Sequence, residues 1–429
     1  MISLAAYGRL IRGNRNFRLL WGAQIISEIG DWFYTLSLYS LILELTGKAE
    51  LVALAVVLQV LPQTLTAPFA GVVNDRLSRR QVMILSDLAR AVIVLGMLFV
   101  RTPGMVWLVY PLLFLETLGW SFFEPGRQSV IPNIVGEKEM WTANTLAATT
   151  WSFNLAIGST LGGAVAAALG RDAVFVINAV SFVGSALFLY RMKFAEPHLD
   201  TAPPLRLRDM GDFTPLREGF TYVVRDVRLL AMVLVKGGLG LLGANLVLLP
   251  VLGERVFPIA LEGSEANRGA MLAMSLLMAS RGVGALIGPF ATAPWAGRNE
   301  SRLRRGIVVA FFAAGCGYLL LSQAPTLPLA MAAIALSHGG GSTIWVFSTT
   351  LLMLKTEDRF RGRIFSAELA FHMLAISLAS TVAGRIIDSG FPVRHAVMVT
   401  GLSLFLPALL WLWAQRLWRG RPQDEYTGG

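Results

Sequence analysis

Twelve long apolar segments, each separated from the next by a polar or charged turn, leave this chain few ways to fold. They run Phe17 to Leu45, Leu51 to Val73, Val82 to Val100, Val106 to Phe123, Ala143 to Leu169, Ala173 to Met192, Leu229 to Val256, Gly269 to Ala291, Gly306 to Ser322, Leu327 to Leu352, Ile364 to Ile387 and Val393 to Trp413. A run of about 20 apolar residues, coiled as an α-helix, matches the thickness of a bilayer's hydrocarbon core. In lipid the helix also satisfies its own backbone polar groups without a partner. A membrane barrel would instead show alternating polarity over about ten residues per strand, a pattern the segments lack. The charge content agrees: 15% of the 429 residues are charged, against roughly a quarter in soluble domains.

Between the second and third segments stands Gly71-Val-Val-Asn-Asp75-Arg76-Leu-Ser-Arg79-Arg80. A turn with three arginines and an aspartate cannot lie in hydrocarbon, and the excess of Lys and Arg on cytoplasmic loops assigns it to the inner face. The same rule puts most of the 37 Lys and Arg on that face, so the net charge of +10 reads as an insertion signal. No basic domain is left over for nucleic acid, and anionic lipid headgroups are the expected partners of the basic loops. The one cysteine, Cys316, excludes an internal disulfide and a thiolate metal cluster, and no metal or cofactor is expected. The first segment carries Glu28 and Asp31 and is too long for the apolar stretch of a signal peptide, so it is expected to remain as a membrane helix.

The segments divide the chain into a basic arm (residues 1–16) lying along the inner surface, a six-helix bundle (17–192), a polar, proline-rich cytoplasmic linker (193–228), a second six-helix bundle (229–414) and a cytoplasmic tail (415–429). Within the linker, Leu216 to Val227 has helical spacing with its charges on one side. A faint internal repeat links the bundles. Asp75-Arg76-Leu-Ser-Arg79-Arg80 has a counterpart in Glu300-Ser-Arg302-Leu-Arg304-Arg305, and Thr160-Leu-Gly162-Gly163 has one in Thr381-Val-Ala383-Gly384.

The Gly71 to Arg80 stretch resembles the loop signature of the major facilitator superfamily, roughly G-x-x-x-D-R-x-G-R-R, with Ser78 standing where glycine is usual. Twelve helices, both termini inside and a linker after the sixth are also that family's layout. The resemblance implies an all-α membrane protein of twelve transmembrane helices, two six-helix pseudo-repeats around a central cavity, moving small molecules by alternating access as a monomer. Three further stretches resemble the efflux branch that includes the enterobactin exporter and macrolide efflux proteins. They are Ser27-Glu-Ile-Gly30-Asp31-Trp, Ser86-Asp87-Leu-Ala-Arg90-Ala, and Phe122-Phe-Glu-Pro125-Gly-Arg127 through Pro132. This branch implies proton-coupled export of a small amphipathic or apolar compound from a bacterial inner membrane. The fifth helix keeps Gly158, Gly162 and Gly163 of the exporter pattern G-x-x-x-G-P-x-x-G-G but has Asn154 and Ser159 in place of glycine and proline. The missing proline counts against proton-driven export and keeps open a uniporter or importer of a metabolite, siderophore or lipid-like compound.

Ionisable side chains inside a span are costly to hold there, so each is a functional candidate. Glu28 and Asp31 share a helix face and repel in low dielectric, which favours keeping a proton on one of them; with the deeper Glu116 they are the proton-coupling candidates. Asp87 and Arg90 are spaced to pair on one face near the inner loop. The resemblance implies a cytoplasmic gate in which Asp75, Arg76 and Glu124 cluster, with Gly71, Arg79, Arg80, Asp87, Arg90 and Arg127 about them. Lys236, Arg281, Glu368 and His372, with the aromatics Trp32, Tyr34 and Trp151, are candidates for the substrate cavity, Glu368 and His372 being spaced to pair. Gly238-Leu-Gly240-Leu-Leu-Gly243 mimics a dinucleotide fingerprint but lies in a membrane helix with no strand before it, so it reads as a bend or packing point. Gly284, Gly288 and Pro289 read as packing and flexing points. No hydrolase, phosphate-loop or metalloprotease motif occurs, and an enzyme is not expected.

Overall fold

The computed structural model describes residues 4–200, 202–205, 214–261, 266–297, 299–356 and 358–418. The end of the tail, from residue 419, and part of the linker lie outside the described residues. The chain is a succession of helices: α1 Leu4–Gly13, α2 Arg15–Thr46, α3 Ala49–Arg76, α4 Arg79–Gly96, α5 Val109–Ile134, α6 Glu137–Leu169, α7 Arg171–Tyr190, α8 Thr214–Arg225, α9 Val227–Gly240, α10 Asn245–Arg255, α11 Ala266–Ala296, α12 Glu300–Gln323, α13 Leu327–Lys355, α14 Asp358–Asp388, α15 Val393–Ser403 and α16 Phe405–Trp418.

Among the described residues, eleven spans are long and apolar enough to cross a membrane. The twelfth is α2. Its 32 residues are ample in length, but Arg15, Arg18, Glu28, Asp31 and Glu44 make it less apolar than the others. It is a membrane helix whose polarity carries the site described below. Local chemistry fixes its ends: the Asn14 side chain accepts from the Phe17 N–H, and Gly47 closes the other end at φ 64°, a conformation side chains rarely adopt.

Two segments read as single helices are broken. The seventh apolar segment is α9 and α10 joined by the 3-10 turn Leu241–Ala244, and the last is α15 and α16 joined at Leu404. The first break falls on the Gly237 to Gly243 run, where glycines weaken the helix and let α9 and the turn after it approach α14 closely: a Cβ at Gly240 would fall 3.0 Å from the His372 carbonyl, and one at Gly243 2.7 Å from the Ile376 backbone.

Two compact units are present. Among the described residues, the first comprises 4–205, 245–283 and 380–393, and the second 214–244, 284–379 and 394–418. The division passes through α11 and α14, so residues 266–283 and 380–388 of those helices pack in the first unit. In that unit α2 packs on α6 and α7, and α4 on α5 and α7. In the second, α12 packs on α13 and α16, and α9 on α13 and α16.

One apolar cluster of the first unit joins Leu10, Phe17, Leu20, Met83, Phe123 and Ile131. The arm, expected to lie along the membrane surface, is pinned by this cluster, since Leu10 is only 1% exposed. Because lipid is itself apolar, such packing stabilises through close contact of side chains more than through exclusion of water. Phe17→Ala should therefore lower the thermal unfolding midpoint in detergent by an amount equivalent to about 3 kcal/mol, with Phe17→Leu costing less than half of that. Equal midpoints for Phe17→Ala and the parent would contradict this packing.

Candidate functional site

Buried charge in the first unit is organised around Arg90 of α4, whose side chain is 1% exposed. Its Nη2 donates to both Asp31 oxygens, at 2.8 and 2.9 Å. Nε and Nη2 both donate to Glu116 Oε1, at 2.8 and 2.6 Å. Nη1 lies 3.6 Å from Asp87, and the guanidinium carbon sits 4.1 Å above the Phe182 ring. Four helices thus converge on one cation, α2 through Asp31, α4 through Asp87, α5 through Glu116 and α7 through Phe182.

Glycines make the convergence possible. A Cβ at Gly30, beside Asp31, would collide with Asn178 and Ser181 of α7. At Gly119, one turn beyond Glu116, it would fall 2.6 Å from the Arg90 stem. The cluster is not sealed: Asp87 is fully buried and Glu116 nearly so, while the Asp31 side chain is 25% exposed. Asp31 is therefore the most exposed carboxylate of the group.

One turn earlier on α2, Glu28 has separate partners. Gln24 Nε2 donates to it at 2.8 Å and Asn154 Nδ2 at 2.7 Å. Gln24 also accepts from Arg127 Nη1 at 3.2 Å, and Arg127 makes two bonds to Glu124, at 2.5 and 2.9 Å. A hydrogen-bonded line therefore runs Glu124–Arg127–Gln24–Glu28–Asn154. Glu28 ends about 4.5 Å along the helix axis from the Asp31 position, three residues at 1.5 Å each.

Several expectations need correcting. Arg90 and Asp87 do pair, at 3.6 Å, but neither in isolation nor beside the loop: by Arg90, α4 has risen roughly 16 Å from its start at Arg79. Arg90 also joins Asp31 to Glu116, a link of residues 59 and 26 positions apart. Glu28 and Asp31 do not form one repelling pair, because each has its own donors. Glu124 is bonded to Arg127 and Gln128. Asp75 lies 3.6 Å from Arg79 and is 74% exposed.

The loop is instead gripped by the linker and by the residue just before it. Glu196 accepts from the Ser78 hydroxyl at 2.6 Å and the Arg79 N–H at 2.7 Å, Arg80 donates to the Met192 carbonyl at 2.7 Å, and Arg76 donates to the Pro204 carbonyl at 2.8 Å. Arg79 also donates to the Asn74 and Ser129 carbonyls. A Cβ at Gly71 would meet open space. Of the aromatic candidates, Trp32 and Trp151 meet edge to face at 5.9 Å, with the Arg281 guanidinium 5.9 Å from the Trp32 ring. Tyr34 is buried against Phe175 and presents no open surface.

Within the second unit, Lys236 Nζ lies 3.1 Å from Glu368 and donates to the Thr349 hydroxyl at 2.9 Å. It also stands 3.7 Å over the Trp345 ring. His372 does not pair with Glu368; its Nδ1 lies 2.8 Å from the Lys236 carbonyl and its ring meets Trp345 edge-on. Sequence reasoning missed Thr349 and Trp345 because nothing in their spacing marks them. A Cβ at Gly162 would lie 2.9 Å from the Phe33 backbone, one at Gly158 3.0 Å from Trp32, and those at Gly284 and Gly288 would collide with the Ala335 and Gly339 carbonyls.

Comparison with known proteins follows the same lines. The family model described as Major Facilitator Superfamily matches residues 20–367. An uncharacterized MFS-type transporter, YfiS of Bacillus subtilis (strain 168), is 26% identical across 96% of this chain and 96% of its own. Macrolide efflux protein A of Streptococcus pyogenes is 22% identical, covering 92% of this chain and 94% of that protein. The putative bacilysin exporter BacE of Bacillus amyloliquefaciens is 34% identical over 29% of this chain and 32% of its own. Among solved structures, a POT family transporter in complex with 5-aminolevulinic acid superposes with a TM-score of 0.73 at 12% identity, over 94% of this chain and 97% of that one. The nucleoside transporter NupG gives 0.69 at 13% identity, over 94% and 99%.

Removing Arg90 should leave three carboxylates, two of them buried, without their shared cation. Arg90→Ala is expected to lower the thermal midpoint by the equivalent of about 3–5 kcal/mol, and adding Asp87→Asn to it should recover part of the loss. Strict additivity of the two substitutions in the melting experiment would show that they do not share a site.

Proposed function

Since this chain belongs to the major facilitator superfamily and is a membrane transporter, we propose that it is a proton-coupled exporter of small amphipathic or apolar compounds, with the Arg90 cluster as its proton carrier. One observation carries the reading: three carboxylates share a single guanidinium inside a membrane-spanning unit. One positive charge against three negative leaves a deficit too expensive to keep in low dielectric, and a proton is the counter-ion small enough to enter through the partly exposed Asp31. Loading and unloading that proton changes the charge on the group where four helices meet, so it biases one cavity orientation over the other.

The export direction rests on the relatives described as a macrolide efflux protein and a putative bacilysin exporter. The Glu124–Arg127–Gln24–Glu28 line offers a polar route from the loop face toward the cluster, and the mobile charge on Glu28 would be steadied by two neutral amides. Lys236 and Glu368 supply a balanced cation and anion for polar substrate groups in the second unit. The excess of Lys and Arg on the loops supports a reading in which both termini lie in the cytoplasm of a bacterial cell, and the proposed working unit is a monomer.

In proteoliposomes holding a pH-sensitive dye, adding a transported compound such as a macrolide to the parent protein should move protons opposite to the compound. Asp31→Asn should abolish this proton movement while leaving the protein folded. Compound movement that persists unchanged after the gradient is collapsed would refute proton coupling.

A further inference from the structure

Helix α3 begins without a cap of its own. The N-cap residue is Lys48, whose side chain makes no capping bond, so the first N–H groups of the helix need a partner from elsewhere. Asp388, the last residue of α14, provides it across 339 positions of sequence: Oδ1 accepts from the Ala49 N–H at 3.0 Å and Oδ2 from the Glu50 N–H at 2.8 Å. A carboxylate at a helix N-terminus also meets the positive end of the helix dipole.

The surroundings reinforce the contact. Arg385, one turn back on α14, donates from Nε to Glu50 at 3.0 Å. Gly384 lies flush against the start of α3, where a Cβ would fall 2.9 Å from the Glu50 Cα and 3.0 Å from the Ala49 carbonyl. Arg255 of α10 donates to the Gly47 carbonyl at 2.6 Å, and Asn267 of α11 to Glu44 at 3.1 Å. Each bond ties the α2–α3 turn, in the first half of the sequence, to a residue of the second half. The sequence repeat recurs here in three dimensions: Gly384 abuts Glu50, and its counterpart Gly163 abuts Ser275 of α11, so each repeat places its glycine where the two sequence halves touch.

We propose that Asp388 is a positioning residue for alternating access, the latch that holds this end of the transporter shut. The proposal rests on the alternating-access reading above. The opposite end of α3 carries Asp75, which in the same structure is largely exposed and pairs within its own loop. Helix α3 is thus pinned at its Ala49 end by the second half of the chain. Releasing Asp388 frees the two N–H groups to water, and the end opens.

The test uses the full chain in lipid nanodiscs with Cys316→Ala, and with spin labels on Thr102→Cys and Phe391→Cys, both exposed at this end of the first unit. In the parent, distances should fall mainly in a short population. Asp388→Ala should raise the ratio of long to short distances by roughly fivefold or more, the equilibrium factor that matches a lost helix cap. Asp388→Asn, which keeps one acceptor oxygen, should fall between. Gly384→Ala, which leaves the charge untouched, should shift the ratio in the same direction, while a purely structural role would lower the thermal midpoint without moving the ratio. Unchanged distances in Asp388→Ala, with a parent that still shows both populations, would overturn the latch alone. One fixed distance in every variant, at every pH and with or without a macrolide present, would overturn both the latch and alternating access.

Discussion

A buried guanidinium bound by three carboxylates and covered by an aromatic ring is the interaction on which the first unit depends. Arg90 is the only cation bonded to Asp31 and Glu116 among the described residues, and it draws α2, α4 and α5 together at one point, with α7 supplying Phe182 above it. Removing either sign of charge leaves the other stranded in a medium that cannot solvate it. The same logic makes the group useful. On the proposed reading, a proton that arrives there changes the charge of the group, and the helices fixed to it follow.

The second unit solves its charge problem differently. Lys236 and Glu368 are one cation and one anion, with a hydroxyl and an indole face completing the cage. That pair is balanced as it stands and has no need of a proton. On the proposed function, the contrast between a balanced and an unbalanced cluster would divide the work, with stable polar groups for the substrate and a titrating group for coupling.

Much of the fold was legible from the chain alone, because membrane helices announce themselves by length and apolarity. The site was legible in its members but not in its pairing. Glu28, Asp31 and Glu116 stand out as acids in oil, and the spacing of Asp87 and Arg90 gives their ion pair, but nothing along one helix shows that Arg90 also joins Asp31 and Glu116. Asn154 was a departure from the exporter pattern; in three dimensions its amide is a donor to Glu28. Asp388 was invisible for a related reason. An acid at the end of a helix is unremarkable until the uncapped start of α3 is found against it. The glycine run near Gly240 did betray its bend, since the backbone physics there is local.

The central claim is that a carboxyl of the Arg90 cluster carries the proton that the transport cycle moves. Infrared difference spectroscopy on the reconstituted protein, recorded across a pH step in normal and deuterated water, reads the carbonyl stretch of a protonated carboxyl directly. The account predicts a protonated-carboxyl band that appears and disappears with the step, shifts on deuteration and is lost in Asp31→Asn but kept in Glu368→Gln. No such band in the parent, or a band that survives Asp31→Asn unchanged, would contradict it.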